Sequence, residues 1–509
     1  MIPSSPNLKS KIANPLWAIP ALLAATFFRA LPLLENRFHP DEALYATFGR
    51  LIASGQGLLL SYLVVDKPPL SFYLTALSFL LVGQNELGAR LPALFASVIS
   101  VALLFALARR LYGRGVAHLA AWALALSPFA ILFSITVFID PLLTAIGLWG
   151  LWITVANRPK VAGLALALAF ATKQTGLMFV PLALAFALLR LSPTATLTDA
   201  IRQLWKHLRP VLLWLAVMIA LIFLWDSVRH APIGFWEQGY SDNVPGRFIR
   251  ANEVRPRALA WLDLLYHFTA SPPLNLVFLV GLPVLLAASF RRPSRAALAD
   301  LILVGFLLLY LSLYWLLAFN VWDRYLVTLA PLFALLLARI IDGLSRIAYR
   351  VSQSFGIWNL KFGFFLSFLF PASVFLLFLP STFRAAHSGY AIGGDHGAYD
   401  GIDDVARFVH TLPADGVLYD HWLSWEFNFY LFDRPLYIAW FPSPEALTTD
   451  LRAFGHTSPR YLVVPSWEAD AEMRAAADQA SFEFVPLRQA HRRDGSVSFV
   501  VYQLAPSGQ

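Results

Sequence analysis

Continuous apolar runs are the feature that most constrains how this chain can fold. Several of them approach or reach the roughly 20 residues that an α-helix needs to cross the hydrocarbon core of a bilayer. Because these runs do not alternate between apolar and polar residues, they predict membrane helices and argue against the strands of a membrane barrel. A shorter run at 70–82 predicts an interfacial helix or a tilted span. The other candidates occupy 16–34, 91–108, 116–137, 141–157, 161–172, 177–190, 210–225, 273–290, 298–318, 325–341 and 362–380.

The composition agrees with a membrane protein. Hydrophobic residues make up 58% of the 509 residues and charged residues only 14%, whereas soluble globular domains contain roughly 25% charged residues. These values exclude an ordinary soluble enzyme and an intrinsically disordered chain. The absence of cysteine excludes disulfides, thiolate metal sites and cysteine nucleophiles.

The distribution of charge predicts the orientation in the membrane. If the N-terminus is cytoplasmic, every second loop is rich in Arg and Lys, as at 109–114, 190–209 and 291–295, and the acidic residues collect in the opposite loops. Positive residues favour cytoplasmic loops. No small-residue cleavage site follows the first run, which is expected to remain as a helix. We therefore expect a multi-pass protein of the cell (inner or plasma) membrane, with no nucleic-acid partner.

The end of the chain forms a second region. The composition becomes polar after Pro380, which divides the chain into 1–380, with the membrane helices, and 381–509. Strand and helix patterns alternate in the second part and predict a small α/β domain outside the cytoplasm. Its tryptophans Trp422, Trp425, Trp440 and Trp467 either bind an acceptor sugar or fill the domain core. The strands are predicted at Val417–Tyr419, Leu436–Ala439, Tyr461–Val464 and Val497–Tyr502, and the helices at Ile402–His410, Pro444–Phe454 and Trp467–Ala480.

The first outside loop, 35–70, contains the most informative motif. Pro40 and Asp41 precede ALYATFGRLI, which predicts a helix that begins here with Asp41 and Glu42 in its first turn. Asp41 is either an N-cap, a position at which Asp is favoured, or a functional carboxylate. Asp66 and Lys67 stand before two prolines, where they either start a helix and snorkel or form a functional acid–base pair.

Further charges lie at predicted helix ends on the same side. Asp140 follows an almost uncharged run and is either another cap or a functional carboxylate. Lys173 lies between two short apolar helices, where a buried cation needs an anion or a water-filled cavity, unless it is an ordinary loop cation. Arg324 and, more weakly, Arg90 are cations near other outside helix starts.

These residue types suit one kind of chemistry. Carboxylates can act as a general base or bind a metal, and cations can bind a phosphate and stabilise it as it leaves. A site of this kind beside lipid suits a donor with a phosphate head and a hydrocarbon tail. No cofactor is required by the pattern; a divalent metal is a candidate, with Asp41 and Asp66 as its candidate ligands.

The motifs DEALYA, DKPPL, GARLPAL, DPLL, ATKQTG and DRYL occur in this order. The ordered set, over about 12–345, resembles the dolichyl-phosphate-mannose protein mannosyltransferase superfamily. Within it, the bacterial branch of the aminoarabinose transferase of lipid A and the Rhizobium-type lipopolysaccharide sugar transferases is the most similar. The resemblance implies the GT-C fold: an all-α polytopic membrane protein, here with about 11–13 transmembrane helices and a small C-terminal α/β domain. It also implies a sugar donor linked to polyprenyl phosphate.

The resemblance implies roles for individual residues. Asp41, Glu42 and Asp140 match the catalytic acidic positions, and Asp41 would be the base. Lys67, Lys173 and Arg324 would bind the donor phosphate, although Lys-Gln-Thr-Gly stands at 173–176 where the family has a TKG-like turn. Asp66, Arg90 and Tyr45 would support the site.

The expected reaction is an inverting sugar transfer to an acceptor outside the cytoplasm, which is lipid A, lipopolysaccharide, another glycan or a protein. A transporter or flippase of lipid-linked sugars is the rival interpretation, since it also needs intramembrane charge and broken helices. Transfer predicts one outside cavity lined by Asp41, Lys67, Asp140 and Arg324, whereas transport predicts a pathway that opens to both sides.

Overall fold

The computed structural model describes residues 18–192, 194–354, 373, 375–433 and 436–508. The first part of the chain forms fifteen helices within these ranges, joined in places by short 3-10 turns at Gln174–Met178, Ala251–Glu253 and Asp323–Leu329. The helices are α1 (Ile19–Ala30), α2 (Pro40–Ala53), α3 (Leu70–Val82), α4 (Glu86–Tyr112), α5 (Arg114–Leu126), α6 (Pro128–Ser134), α7 (Asp140–Val155), α8 (Pro159–Thr172), α9 (Phe179–Leu188), α10 (Leu197–Val228), α11 (Phe235–Asn243), α12 (Val254–Tyr266), α13 (Pro272–Arg291), α14 (Arg295–Leu316) and α15 (Ala330–Ser354).

The predicted membrane character of this part is confirmed. Among the described residues, five helical segments are long and apolar enough to cross a membrane: α4, α10, α13, α14 and the segment Asp323–Ile347. The bent pair α5 and α6 would be a sixth, and five further apolar segments are shorter. The total of 11–13 spans stays a prediction, because the run at 362–380 lies for the most part outside the described residues, as do residues 1–17.

The bend between α5 and α6 brings the loop after α6 to the end of the bundle where α2 begins. Pro128 has no backbone N–H and cannot continue the hydrogen bonds of α5. Ser127 caps the new helix at the Ala130 N–H, and its hydroxyl also donates to the Phe268 carbonyl over 2.7 Å. The two helices meet at an angle of 56°. After α6 the chain runs through Thr136 and Val137 to Asp140, the first residue of α7.

The C-terminal part is the predicted α/β domain. Its sheet has the order β2-β1-β3-β5-β4, with β1 parallel to β2 and β3, and β5 antiparallel to β3 and β4. Apolar clusters cover the sheet on two sides, one around Leu418 and Val463 and one around Tyr419 and Leu462. The elements are α16 (Leu379–Ala386), α17 (Ile402–Val409), β1 (Val417–Asp420), α18 (Ser424–Tyr430), β2 (Tyr437–Trp440), α19 (Pro444–Phe454), β3 (Arg460–Pro465), α20 (Ala471–Gln479), β4 (Phe482–His491) and β5 (Val497–Pro506).

Three elements of this part were not predicted: α16, β4 and α18. Strand β4 contains Pro486, which cannot donate to a sheet ladder and weakens the strand signal. The structure accommodates it on an edge strand, beside a register shift between Pro486 and Arg488. Helix α18 was also missed, since seven residues are too few to show a helical period.

Helix α18 holds the C-terminal domain against the first outside loop. Arg50, near the end of α2, forms an ion pair with Asp433 and donates to the Phe429 carbonyl over 2.7 Å. The Tyr430 hydroxyl accepts from the Phe38 N–H over 3.2 Å. The domain therefore braces the backbone that leads into Asp41. Three of the four singled-out tryptophans are not core residues, since Trp425, Trp440 and Trp467 are 43%, 63% and 42% exposed.

Candidate functional site

The first turn of α2 leaves the Asp41 carboxylate free of capping bonds. His39, with extended backbone, is the N-cap, and its Nδ1 accepts from the Asp41 N–H over 3.3 Å. The Glu42 carboxylate completes the capping box by accepting from the His39 N–H over 3.1 Å. Pro40 occupies the first helical position, where its missing N–H costs nothing. The structure therefore excludes the interpretation of Asp41 as the N-cap.

Asp41 instead forms an ion pair with Arg324, which lies in the 3-10 turn before α15. The Arg324 guanidinium is 4.3 Å from the ring centre of Trp322 and 5.3 Å from that of Phe138. A planar guanidinium that stacks on aromatic rings keeps its remaining donors available for another anion. The Asp41 side chain is 34% exposed, so this pair is open on one side.

The open side faces a polar cavity of about 310 Å³. Asp41 and Arg324 line it as predicted, while Lys67 and Asp140 do not. The C-terminal part contributes two lining residues, Gly394 and His396, which were not predicted. The full lining is His39, Asp41, Phe138, Trp322, Asp323, Arg324, Gly394 and His396.

Asp66 and Lys67 form a second ion pair beneath α11. The Lys67 ammonium donates to the Asn243 side-chain oxygen over 2.8 Å, and the Asn243 amide donates back to Asp66 over 3.2 Å. Gln174 donates to the Asp66 backbone carbonyl over 2.7 Å. Helix α11 can approach this closely because a Cβ at Gly239 would lie only 3.1 Å from that same carbonyl.

Asp140 and Lys173 form a third pair, which is closed. The Lys173 ammonium donates to Asp140 over 2.7 Å, and the side chains are 5% and 4% exposed. Lys173 follows the last residue of α8 and also lies 5.2 Å from the ring centre of Tyr325. The predicted need of Lys173 for an anion is thus met by a carboxylate of the protein itself.

Neighbouring residues link the three pairs into one site beside Tyr45: Gln174, next to Lys173, donates to the Asp66 carbonyl, and Tyr325, next to Arg324, lies against the Lys173 ammonium. Burial raises the pKa of the Tyr45 hydroxyl well above the usual value, and the charges of Asp66, Asp41 and Asp140 add to that rise, whereas Arg324 opposes it. One hydroxyl is therefore within electrostatic range of a member of each pair. The Lys173 ammonium also interacts electrostatically with the like charges of Arg324 and Lys67.

Glu42 and Arg90 hold the backbone of the site. Glu42 is 1% exposed, and besides its cap bond it accepts from the Val137 N–H over 2.8 Å. Burial raises the pKa of its carboxyl to about 7. Arg90, also 1% exposed, donates to the carbonyls of Leu33 and Asn36 over 2.8 and 2.7 Å. Both side chains thus fix the loop before Asp41.

Sequence reasoning missed several residues of the site. Most stand in or beside the motifs and were not singled out there: His39 before Asp41, Phe138 before Asp140, Gln174 in ATKQTG, and Trp322, Asp323 and Tyr325 at DRYL. Asn243, Gly394 and His396 come from other segments and carry no local motif. The missed residues are His39, Phe138, Gln174, Asn243, Trp322, Asp323, Tyr325, Gly394 and His396.

The carboxylates fit a divalent metal poorly. Among the residues that the structure describes, no group of three or more His, Asp or Glu side chains could hold a metal ion. Asp41 and Asp66, the candidate ligands, are each in contact with a cation, Arg324 or Lys67. A metal there would have to displace these cations.

The arrangement of helices defines a GT-C membrane fold. ArnT from Cupriavidus metallidurans bound to undecaprenyl phosphate has the same architecture, with a TM-score of 0.61 and 16% identity, covering 96% of this chain and 97% of that one. The apo oligosaccharyltransferase from Archaeoglobus fulgidus matches with a TM-score of 0.52 and 13% identity, covering 97% of this chain and 74% of that one. These likenesses confirm the predicted fold class.

The sequence comparison agrees with the predicted resemblance. Residues 66–225 match the model of the dolichyl-phosphate-mannose-protein mannosyltransferase family, a narrower segment than the 12–345 over which the motifs occur. An undecaprenyl phosphate-alpha-4-amino-4-deoxy-L-arabinose arabinosyl transferase of Pseudomonas fluorescens (strain Pf0-1) is 31% identical over 102 residues, which is 19% of this chain and 18% of that protein. The alignments with three curated relatives span only 13–18% of the relatives' own lengths.

Proposed function

We propose that this protein is an integral membrane glycosyltransferase. It transfers a sugar from a polyprenyl-phosphate donor, with inversion, to an acceptor outside the cytoplasm, which is lipid A, lipopolysaccharide, another glycan or a protein. The observation that carries the proposal is the grouping of three carboxylate–cation pairs, linked through Gln174 and Tyr325, with one pair open to a cavity. The GT-C fold, shared with a protein that binds undecaprenyl phosphate, supports it.

An apolar groove supplies a place for the hydrocarbon tail of the donor. It has a volume of about 640 Å³ and lies between α3, α4 and α7, lined by residues such as Leu74, Phe95 and Trp149. Helix α3 begins shortly after Lys67, and α7 begins at Asp140. A lipid in this groove would therefore carry its phosphate toward the outer helix ends where the cations lie.

Arg324 and Lys67 bind the donor phosphate, and Lys173, which is enclosed with Asp140, acts on the phosphate through its charge without touching it. Each of these cations is neutralised by one carboxylate when no phosphate is bound. A phosphate at Arg324 competes with Asp41 for the same guanidinium, because both are anions that suit its planar donors. Binding of the donor therefore releases the Asp41 carboxylate, and the base becomes available only when there is a sugar to transfer.

The reaction follows from these positions. Asp41 takes the proton of the acceptor hydroxyl, and the acceptor oxygen attacks the anomeric carbon of the donor. The new carbon–oxygen bond forms as the bond to the phosphate oxygen breaks, and that electron pair leaves with polyprenyl phosphate. Lys67, Lys173 and Arg324 stabilise the charge of the leaving phosphate. Asp140 holds Lys173, while Glu42 and Arg90 position the loop that carries Asp41.

The test is sugar release from radiolabelled polyprenyl-phosphate monosaccharides by the purified protein, with membrane extract as the source of acceptor. Removing a general base slows a reaction by about 10²- to 10⁴-fold. We therefore expect Asp41→Asn to lose transfer by this factor, while Asp415→Asn, at an exposed carboxylate of the C-terminal domain, keeps it. Asp41→Asn with wild-type turnover would overturn the assignment of the base.

Transport of a lipid-linked sugar is the second candidate. The broken pair α5 and α6 and the charged residues at helix ends would also suit a carrier. Labelled donor that crosses sealed vesicles, without release of polyprenyl phosphate from any donor of a broad panel, would favour transport over transfer.

The two ends of the helix bundle differ in charge, which bears on the orientation of the protein in the membrane. Arg190 donates to the Val155 carbonyl and Lys206 to the Asn157 side chain, each over 3.2 Å, so the basic segments around 158 and 190–209 meet at one end of the bundle. We assign that end to the cytoplasm, and the Asp41 site and the 381–509 domain to the outer side of a cell (inner or plasma) membrane. We keep the boundary near 380 as a division of function and not of packing, because α16 lies against the membrane part, where the Thr382 hydroxyl donates to the carbonyl of Leu126, the last residue of α5.

A further inference from the structure

We infer that the acceptor group that enters the cavity is an uncharged hydroxyl compound and that His396 binds it. This inference rests on the proposed function and specifies the class of its acceptor. It would exclude acceptors that present a phosphate or carboxylate next to the reacting hydroxyl. It also assigns an acceptor-binding role to a residue outside the motifs of the membrane part.

His396 is held at the site by the segment between α16 and α17. The Gly393 N–H donates to the Asp323 carboxylate over 2.9 Å, next to Arg324. Gly394 has a φ of +95°, and a Cβ there would lie 2.8 Å from Glu42 Oε2. The Gly393 hydrogen bond holds the segment beside Arg324, and the lack of a side chain at Gly394 lets it approach Glu42 closely. His396 therefore lines the same cavity as Asp41.

The chemistry of His396 suits a hydroxyl ligand. Its imidazole has no hydrogen-bond partner among the residues that the structure describes, although it lines a polar cavity. Loss of hydration in these surroundings lowers its pKa, and that of His39 as well. A neutral imidazole has one N–H donor and one acceptor nitrogen, which together match a hydroxyl that both donates and accepts.

The charge of the cavity is unfavourable for an anionic acceptor. Two carboxylates, Asp41 and Asp323, line it against a single guanidinium, Arg324, which the donor phosphate also needs. Lys67 and Lys173 do not line it. The buried carboxyl of Asp395 lies behind the wall, where burial raises its pKa to about 6, and its Oδ2 has no partner among the described residues. A second phosphate in this cavity would therefore be repelled by the carboxylates and would find no cation on the lining other than Arg324.

The experiment compares two competitors that differ in one group. A synthetic alkyl glycoside and the same glycoside carrying a phosphomonoester are added to the full-length protein as it transfers labelled sugar to membrane extract. We expect the neutral glycoside to compete at least tenfold better. Equal or better competition by the phosphorylated compound, or competition by neither, would overturn the inference.

Variants of His396 test its role separately. Loss of one hydrogen bond is worth about 0.5–1.5 kcal/mol, so His396→Ala should raise the KM for the neutral glycoside roughly 2- to 12-fold at an unchanged KM for the donor. His396→Gln, which keeps a donor and an acceptor, should recover part of the loss. His387→Ala, at an exposed histidine near the end of α16, is the control. An unchanged acceptor KM in His396→Ala contradicts the inference, whereas transfer that survives Asp41→Asn contradicts the proposed function instead.

Discussion

Two ion pairs of this site have the same chemistry and different surroundings. Asp41 and Arg324 are 34% and 13% exposed and border a cavity, whereas Asp140 and Lys173 are 4% and 5% exposed and are enclosed by protein. An ion pair open to a cavity can exchange one partner for a ligand. A buried pair cannot lose a partner cheaply, because the remaining charge has no water around it.

The difference assigns the pairs to different tasks. The open pair offers a carboxylate that can move a proton and a cation that a phosphate can reach. The closed pair joins the start of α7 to the end of α8 and fixes a positive charge next to the ring of Tyr325. Asp66 and Lys67, at 18% and 7% exposed, lie between the two extremes. Burial thus separates residues that look equivalent in the sequence.

Removing one partner of the closed pair should have the largest effect on stability. Lys173→Met leaves the Asp140 carboxylate buried and uncompensated, and breaking a buried pair in this way costs about 3–5 kcal/mol. We expect a markedly lower unfolding temperature in detergent, measured by intrinsic tryptophan fluorescence. Lys160→Met, at an exposed lysine near the start of α8, should change it little.

A double variant sharpens this prediction. Asp140→Leu combined with Lys173→Met removes both charges and should recover much of the lost stability, since apolar replacements of a buried pair are often neutral. A double variant that is as unstable as Lys173→Met would show that the pair is not a coupled unit.

The two neighbouring acids of α2 offer a second contrast, in pH dependence. Glu42 is buried with a pKa raised from 4.5 to about 7, so folding favours its protonated form. Its contribution to the free energy of unfolding is therefore fully present below about 4.5 and is lost as the pH rises to about 7. One pKa unit corresponds to about 1.4 kcal/mol, which gives on the order of 3 kcal/mol over this window.

Glu42→Gln removes that titration. The variant should lose less stability than the wild type between pH 4.5 and 7, measured as the unfolding temperature across the pH range. Asp415→Asn, at an exposed carboxylate, is the matched control and should leave the wild-type profile unchanged. A Glu42→Gln profile parallel to the wild type would show that Glu42 titrates alike in the folded and unfolded states.

Local patterns were sufficient for some parts of this site. Pro40 and the acids that follow it predicted the start of α2, which the structure places at Pro40. A lysine between two apolar helices predicted an anion or a water-filled cavity beside it, unless it was a loop cation, and the structure provides the anion, Asp140. Such predictions succeed because their causes are local. The first N–H groups of a helix need partners nearby, and a charge in an apolar environment needs a counter-charge.

Contacts between distant loops could not be predicted. Asn243 reaches Lys67 across 176 residues, and Gly393 reaches Asp323 across 70. Neither Asn nor Gly is rare in an outside loop, and no period in the sequence indicates which loops meet. The difference in exposure between the Asp41 and Asp140 pairs was equally hidden, because it depends on α11, the turn before α15 and the C-terminal segment together.

Arg324 is the cation of the open pair, and its removal should weaken binding of the donor. Arg324→Gln removes the charge but keeps a polar side chain, so the donor phosphate loses charge-assisted hydrogen bonds worth about 1.5–3 kcal/mol. The KM for the polyprenyl-phosphate donor should rise roughly 10- to 150-fold, measured from initial rates of sugar release. Arg324→Lys should recover only part of this, because an ammonium lacks the planar donors of a guanidinium. Arg407→Gln, at an exposed arginine of α17, is the control.

The same measurement tests whether the open pair exchanges its partner. If the phosphate must displace Asp41 from Arg324, then removing Arg324 also frees the base in advance. Turnover at saturating donor should then fall less than the KM rises, because the base no longer depends on the phosphate for its release. A fall in kcat that exceeds the rise in KM would instead show that Arg324 stabilises the leaving phosphate mainly in the transition state. In that case the open pair would differ from the closed pair because its Arg324 acts on the reacting phosphate, and not because Arg324 exchanges Asp41 for the phosphate.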